Sequence, residues 1–193
     1  MKVFIKKFIF TICSLIVAPV TLLYLALSRM VNKDSVLAAC SQFLSLIPGK
    51  IGNYLRVGFY KYSVAYCHPV TVISFATIFS QQDITIEEGV YIGPQCNIGK
   101  CHIEKNCLLG SGVHIMSGSG QHDFSDLDTP IQQQGGKYKK IVVGEDSWLG
   151  NGSLVMANIG KHCIVAAGAV VVKDIPDYAV VAGNPAKIIK MRR

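Results

Sequence analysis

The chain has no two cysteines at C-x-x-C spacing, although it contains seven cysteines in 193 residues. An odd number without paired spacing argues against a disulfide framework and against a zinc knuckle. Several of these cysteines lie beside regularly spaced aliphatic residues, where a thiol commonly serves as a small hydrophobic side chain. We therefore expect buried, reduced cysteines and a reducing compartment.

The sequence also lacks a stripe of basic residues interleaved with aromatic residues, which would be typical of nucleic-acid binding. Its formal net charge is +7, with basic residues concentrated near the two ends of the chain and at Lys137, Lys139 and Lys140. An anionic membrane surface and an anionic small ligand account for this charge better than nucleic acid does. We expect no nucleic-acid partner.

Neither helical spacing of three and four nor the strand alternation of two describes the aliphatic residues in the second half of the chain. They recur with a period of six, and the pattern slips only at Ile103 and Ile159, which follow their predecessors after five and four residues. The marked positions are Ile86, Ile92, Ile98, Ile103, Leu109, Ile115, Val143, Leu149, Val155, Ile159, Val165 and Val171.

A period of six predicts a mainly β fold, a parallel β-helix. With one inward aliphatic residue every sixth position, the chain can turn a corner at each repeat, so that three short strands make a triangular coil. Small residues follow several inward positions, as in Leu109-Gly110 and Leu149-Gly150. They suit tight corners, because a large side chain would crowd the backbone there. Each slip should disturb only one corner.

The amino-terminal segment from Phe8 to Leu27 contains no charged residue. This segment is long enough to span a bilayer. No Ala-x-Ala cleavage site follows, and the apolar run is long for a signal peptide. Membrane attachment is the favoured interpretation, with a buried core helix as the alternative. We assign residues 1–49 to a membrane-associated helical segment and residues 50–193 to the β-helix domain, with a loop insertion at 116–141.

Basic residues flank the apolar run on both sides, and the positive-inside rule pulls both flanks to the cytoplasm. Pro19 near its centre would interrupt the helical hydrogen bonds. These features favour a helical hairpin in one leaflet over a straight span, at the cytoplasmic face of the inner membrane. Asp34 and Ser35 are expected to cap a second, amphipathic helix that runs through Leu46.

The repeat, the Trp148-Leu149-Gly150 turn, the closing stretch from Ala167 to Pro176 and the Ala-Gly-Asn-Pro-Ala-Lys sequence at 182–187 together resemble the hexapeptide-repeat acyltransferases. Within that family the chain looks like the membrane-associated O-acetyltransferases of bacterial surface-polysaccharide pathways. The resemblance implies a left-handed parallel β-helix, a homotrimer with active sites between neighbouring subunits, and acetyl-coenzyme A as acyl donor. It implies a carbohydrate hydroxyl as acceptor and no metal.

The repeat stops between Ile115 and Ile141, in a stretch rich in Ser, Gly, Asp and Pro. An insertion in a solenoid maps to an excursion on one face, often the binding face. The family carries a histidine in this loop, and the match assigns His122 as the general base for the acceptor hydroxyl. Asp123 and Asp126 are candidate acceptor contacts, although they could equally orient His122 or solvate the loop.

The last coils should hold the coenzyme. By resemblance, Trp148, Gly150 and Asn151 lie at its thioester end, and Ala167 and Gly168 lie beside the pantetheine arm. The charge of Lys173 and Lys187 suits the distal phosphates.

Three other functions compete with sugar O-acetylation. The first is N-acetylation of a nucleotide-linked amino sugar, a soluble acceptor for which a membrane anchor has no obvious purpose. The second is a zinc-dependent β-helical carbonic anhydrase, in which His102, His114 and His122 would converge on a metal from neighbouring chains. The third, a scaffold without activity, leaves His122 and the basic tail without a role.

Overall fold

The helices come first in the chain and the strands follow. The computed structural model describes residues 2–193, with side chains from residue 8 onward. Helix α1 spans Lys2–Leu27, α2 Lys33–Ser45 and α3 Gly49–Ser63. The strands are β1 Tyr66–Cys67, β2 Val72–Ile73, β3 Ile78–Phe79, β4 Thr85–Ile86, β5 Tyr91–Ile92, β6 Asn97–Ile98, β7 Cys101–Ile103, β8 Leu108–Leu109, β9 His114–Ile115, β10 Ile141–Val143, β11 Trp148–Leu149, β12 Leu154–Val155, β13 Ile164–Val165, β14 Val170–Val171, β15 Ala179–Ala182 and β16 Lys187–Met191.

The strands form three sheets, which we call faces A, B and C. Face A contains β1, β4, β7 and β10; face B contains β2, β5, β8, β11, β13, β15 and β16; face C contains β3, β6, β9, β12 and β14. The chain passes repeatedly from face A to B to C, and equivalent strands of successive coils pair in parallel. This mainly β solenoid confirms the predicted parallel β-helix and fits the left-handed class.

The core of the solenoid consists of the hexapeptide positions. All twelve side chains marked by the repeat are 0–1% exposed. The cysteines behave as predicted: all seven are free thiols, and those on the coils, at 67, 96, 101, 107 and 163, are buried. Burial raises the pKa of the Cys101 thiol to about 12, which keeps it protonated and apolar at neutral pH.

The two slips in the period are absorbed at the corner before face A, as expected. Ile103 pairs with Ile86 on one side and with Val143 on the other. Ile159 in turn bridges Val143 and Ile175. The inward residues of face A therefore stay stacked, although the connections that lead to them differ in length.

The β-helix begins one coil before the repeat is visible in the sequence. Strands β1 to β3 form that coil and bury Cys67, Ile73 and Phe79. A cysteine and a phenylalanine at inward positions obscure the aliphatic pattern. Helix α3, which the sequence did not predict, occupies Gly49–Ser63, so the first part of the range 50–193 is helical.

Helix α1 continues through Pro19, so the expected break within residues 8–27 is not observed. Tertiary contacts along α3 hold it together. The rings of Phe10 and Tyr54 meet near one end at 6.4 Å between centroids, and those of Tyr24 and Phe59 near the other at 5.6 Å. Such packing can outweigh the one backbone hydrogen bond that a proline removes.

Helix α2 is capped by a different residue from the one expected. Asn32 is the N-cap, and its side-chain oxygen accepts hydrogen bonds from the backbone N–H groups of Asp34 and Ser35. The Asp34 carboxylate instead accepts from the Gln82 N–H of the first coil, at 2.7 Å. Asparagine at an N-cap satisfies helix N–H groups as well as aspartate does, which frees Asp34 for the tertiary contact.

Helices α2 and α3 close the open end of the β-helix. The first coil has no neighbour below it, so its backbone N–H groups need other acceptors. Those of Ile73 and Phe79 donate to the side chains of Asn53 and Ser41, at 2.7 and 2.8 Å. Tyr60 stacks on the Phe79 ring with 4.2 Å between centroids. The helical segment is thus the terminal cap that a solenoid requires.

Arg56 joins α2, α3 and the first coil. It is fully buried, and its guanidinium donates to the carbonyls of Ile73, Leu44 and Ile47 at 2.9, 3.1 and 2.7 Å. Burial lowers the pKa of Arg56. Because the carbonyls of Leu44 and Ile47 come from the carboxyl end of α2 and the residues after it, the cation also complements the helix dipole.

Candidate active site

The histidine loop, residues 116–140, leaves the solenoid at the corner where the chain passes from face C to face A. We call this the CA corner. The two legs of the loop are joined by backbone hydrogen bonds, from Lys139 to Ser117 at 2.8 Å and from Lys137 to Gly120 at 2.7 Å. A third, from Asp123 to Gly135 at 3.1 Å, follows next to His122. The predicted insertion is therefore a folded excursion with a defined path.

The tip of the loop is organised by Asp126. One carboxylate oxygen accepts from the Asp128 N–H at 2.9 Å and the other from the Thr129 hydroxyl at 2.7 Å. The Thr129 hydrogen bond, followed by that from Asp128, holds the pKa of Asp126 below its ordinary value. Gln134 donates to the backbone carbonyls of Asp126 and Thr129. Asp126, a candidate acceptor contact, uses both of its carboxylate oxygens inside the loop.

His122 and Asp123 are exposed on the first leg of the loop. Within residues 8–193, the His122 imidazole has no hydrogen-bond partner, so neither Asp123 nor Asp126 orients it. The backbone of His122 is held instead by close contact with the second leg. A Cβ built on Gly136 would overlap the Gln121 carbonyl and lie 2.8 Å from the backbone nitrogen of His122. Both ring nitrogens remain available to a substrate.

The candidate coenzyme residues gather at the corner between faces B and C, which we call the BC corner. Gly150 and Asn151 lie at this corner of one coil, and Ala167 and Gly168 occupy it in the next. The Gly168 N–H donates to the Asn151 carbonyl at 2.9 Å, which stacks the two corners. Lys187, the first residue of β16, pairs with Ala182, the last residue of β15. Five of the seven candidates thus share one edge of the solenoid.

Asn151 and Gly150 also have structural roles. The Asn151 side-chain oxygen accepts from the Ser111 N–H of the preceding coil, at 3.0 Å. A Cβ on Gly150 would lie 2.5 Å from the Ala167 nitrogen, so only glycine fits there. Trp148 projects from face B and is about half exposed, at 49%.

Lys173 lies apart from this group, at the CA corner. It lines a cavity of about 460 Å³ at the foot of the histidine loop, together with Lys137 and Lys139 of the second leg. Face C separates this cavity from the BC corner. The sequence drew attention to Lys137 and Lys139 by charge alone, because their approach to Lys173 depends on how the loop folds back.

A second, smaller cavity of about 250 Å³ lies on face C beside the loop. His114 and Asn97 line it from adjacent strands, where they are direct register partners, and Gln121 borders it from the loop. In the sequence, His114 drew attention as a possible zinc ligand, and Asn97 was not singled out. A polar residue on an outward position of a mostly apolar face was the available signal.

The histidines proposed for a zinc centre do not converge. His102 projects from face A and contacts the Glu87 carboxylate at 2.7 Å, whereas His114 projects from face C. Across residues 2–193, no group of three His, Cys, Asp or Glu side chains is placed to hold a metal ion.

Several sequence relatives of the chain are named as acetyltransferases. A chloramphenicol acetyltransferase of Agrobacterium fabrum is 42% identical over 118 residues, 53% of this chain and 56% of that protein. The galactoside O-acetyltransferase of Lactococcus lactis is 39% identical over 86 residues, 40% of each chain. The chain spans only 25–34% of the length of three further acetyltransferase relatives. No protein-family model matches the sequence.

Solved structures share the fold. A maltose O-acetyltransferase of Clostridium difficile superimposes with a TM-score of 0.54 at 20% identity, over 84% of this chain and 90% of that one. The N-acyltransferase AntD of Bacillus cereus, crystallised with a dTDP-sugar and coenzyme A, gives 0.55 at 19% identity, over 64% and 70%. The repeat, the solenoid and these relatives agree: the chain is similar in sequence to acetyltransferases and shares the fold of hexapeptide-repeat acyltransferases.

Proposed function

We propose that the protein is an acetyl-coenzyme A-dependent O-acetyltransferase. Its acceptor is a sugar hydroxyl of a surface polysaccharide or lipid-linked glycan at the cytoplasmic face of the membrane. The observation that carries this proposal is the exposed, unpartnered imidazole of His122 on a folded loop at the CA corner. The names of relatives that act on galactosides and maltose support a sugar acceptor.

In the proposed reaction His122 acts as general base. A sugar hydroxyl is a weak nucleophile at neutral pH, and the neutral imidazole removes its proton as the oxygen attacks the thioester carbonyl. The carbon–sulfur bond then breaks, and the imidazolium returns the proton to the departing coenzyme A thiolate. Acetyl passes to oxygen with no net change in protons on the protein. Imidazole suits both steps, because its pKa lies near neutrality.

Coenzyme A would lie along the BC corner. The small residues Gly150, Ala167 and Gly168 allow the pantetheine arm to approach the backbone, with Trp148 and Asn151 nearer the thioester. Lys187 would meet the phosphates from the end of face B. The coenzyme bound in the crystal structure of AntD supports this class of donor.

The proposed assembly is a homotrimer, and the separation of the two corners supports a site shared between subunits. Within one protomer face C lies between His122 with Lys173 and the remaining coenzyme residues. A second copy can place its BC corner against the histidine loop of the first and complete the site. We therefore place the active site between subunits, with Asp123 as the nearest candidate for an acceptor contact.

The test is thiol release from acetyl-coenzyme A by purified protein with a panel of neutral and amino sugars. We expect transfer to hydroxyl acceptors, with kcat lowered about 10²- to 10⁴-fold in His122→Ala. His68→Ala, on the first coil, is the matched control and should keep normal activity. Unaltered activity in a folded His122→Ala protein would refute general-base catalysis by His122. If acetylation is confined to amino sugars, the protein is an N-acetyltransferase and the proposed O-acetyltransferase function is wrong.

A further inference from the structure

Helix α1 has two unlike flanks. Cys13, Val17, Thr21 and Tyr24 recur at intervals of three and four and are buried against the protein. The opposite flank, which we call the lipid flank, consists of large aliphatic side chains that are 40–69% exposed. They are Ile12, Leu15, Ile16, Leu22 and Leu23. Within residues 2–193, α1 is the one helix long and apolar enough to cross a membrane.

The buried flank ties α1 to the base of the β-helix. The Tyr24 hydroxyl donates to the Ser63 carbonyl at 3.0 Å and accepts from the Gln82 side chain at 2.9 Å. Near the amino end of α1, Phe10 packs on Tyr54. The helix is therefore held at both ends along α3, and α3 itself caps the first coil. To cross a bilayer, α1 would have to take this polar, hydrogen-bonded base into the hydrocarbon, which is costly.

The charge of the chain is divided in the same way. Residues 1–82 contain eight Lys or Arg and one Asp, whereas residues 83–193 contain eleven basic and eleven acidic residues. The whole net charge of +7 therefore belongs to residues 1–82, in which Arg29, Lys33, Lys50 and Lys61 are exposed and Arg56 is buried. Exposed apolar side chains continue beside these cations, at Met30, Phe43, Leu46 and Ile51. A basic surface next to an apolar one complements anionic lipid headgroups above acyl chains.

We propose that α1 is a monotopic anchor. It lies in the plane of an anionic bilayer, with the lipid flank among the acyl chains and the β-helix standing above the headgroups. The same helix thus both packs on the helices that cap the solenoid and binds the membrane. The proposal rests on the membrane location proposed above and not on acetyl transfer, so the two can fail separately.

Depth-dependent fluorescence quenching tests the orientation on the full-length protein. In a Trp148→Phe background, single tryptophans are introduced as Phe8→Trp, Leu15→Trp and Leu22→Trp. Each protein is bound to phosphatidylcholine–phosphatidylglycerol vesicles whose acyl chains are brominated at a shallow or at a deep position. The unsubstituted protein, whose single tryptophan is Trp148, is the control for a tryptophan outside the bilayer. Circular dichroism checks that each variant is folded.

An in-plane helix places all three tryptophans at one shallow depth, about 5–10 Å below the headgroup boundary. A spanning helix would place residue 15 roughly 10 Å deeper than residue 8, at 1.5 Å per residue, and that result would overturn the proposal. Absence of quenching at all three positions would also overturn it and would indicate that another protein surface covers the flank. Binding should weaken roughly tenfold or more without phosphatidylglycerol, and equal binding would refute the charge argument.

Discussion

Replacing Gly136 by alanine tests whether the second leg of the loop positions His122. Gly136 has φ +151°. A Cβ there would overlap the Gln121 carbonyl and lie 2.8 Å from the backbone nitrogen of His122. These are backbone atoms that cannot rotate away. The two legs would have to separate by about 1 Å, a displacement of a catalytic group that can cost about 10²-fold in rate.

Gly135→Ala is a matched control for this substitution. Gly135 also has a positive φ, +86°, but a Cβ there has no heavy atom within 4 Å. Both variants place alanine at a positive φ, which costs on the order of 1–3 kcal/mol, and only Gly136→Ala also forces the legs apart. Neither residue contacts the core of the solenoid, so the melting temperature of both proteins should stay near that of the parent.

The assay is steady-state acetyl transfer, with kcat and the KM for acetyl-coenzyme A measured separately. We expect kcat to fall about 10²-fold in Gly136→Ala and only a few-fold in Gly135→Ala, with little change in KM for the donor. Equal losses in the two variants would assign the effect to backbone strain. A fully active Gly136→Ala protein would refute the idea that this leg positions the base.

Three further predictions concern the scaffold. Arg56→Met should lower the free energy of unfolding by roughly 2–5 kcal/mol, because buried carbonyls at the cap lose a charged donor; a change below about 0.5 kcal/mol in a denaturant titration would contradict this. Asp83, whose pKa is lowered mainly by its hydrogen bond from Lys140, should add stability above roughly pH 4 that disappears as the pH falls through its folded-state pKa. Asp83→Asn should remove that dependence and cost less than about 1 kcal/mol at pH 7, since the pair is half exposed. Burial raises the pKa of Cys67, Cys101 and Cys107 to about 12, so mass spectrometry after alkylation at pH 8 should find these thiols unmodified in the folded protein and modified after unfolding.

The coils were predictable because each inward position repeats the same requirement for an aliphatic side chain. Ile86, Ile103 and Val143 stack on face A even across the slips in spacing. The first coil escaped prediction because Cys67 and Phe79 fill its inward positions. Helix α3 was not predicted because its contacts with the first coil, made by Asn53 and Tyr60, stabilise it more than its own sequence pattern does.

The position of some candidate residues in the fold was predictable, and the position of others was not. Gly150 and Gly168 meet at one corner because solenoid register carries equivalent positions to the same edge. The neighbourhood of Lys173 with Lys137 and Lys139 depends on the fold of a loop whose composition is irregular. The engagement of Asp126 with Thr129 likewise depends on local turn geometry that the residue types alone do not specify.

The two ends of the β-helix are closed by different devices. At the base, side chains of α2 and α3 accept hydrogen bonds from the first coil, and at the other end β16 turns back antiparallel on β15. The helices cover the base, and β16 covers the parallel edge of face B, where another chain could otherwise continue the stack. The length of the solenoid is therefore set by its terminators and not by its repeats. A whole coil could be gained or lost between them while the helical base and the basic tail kept their own contacts, which would change only the height of the site above the base.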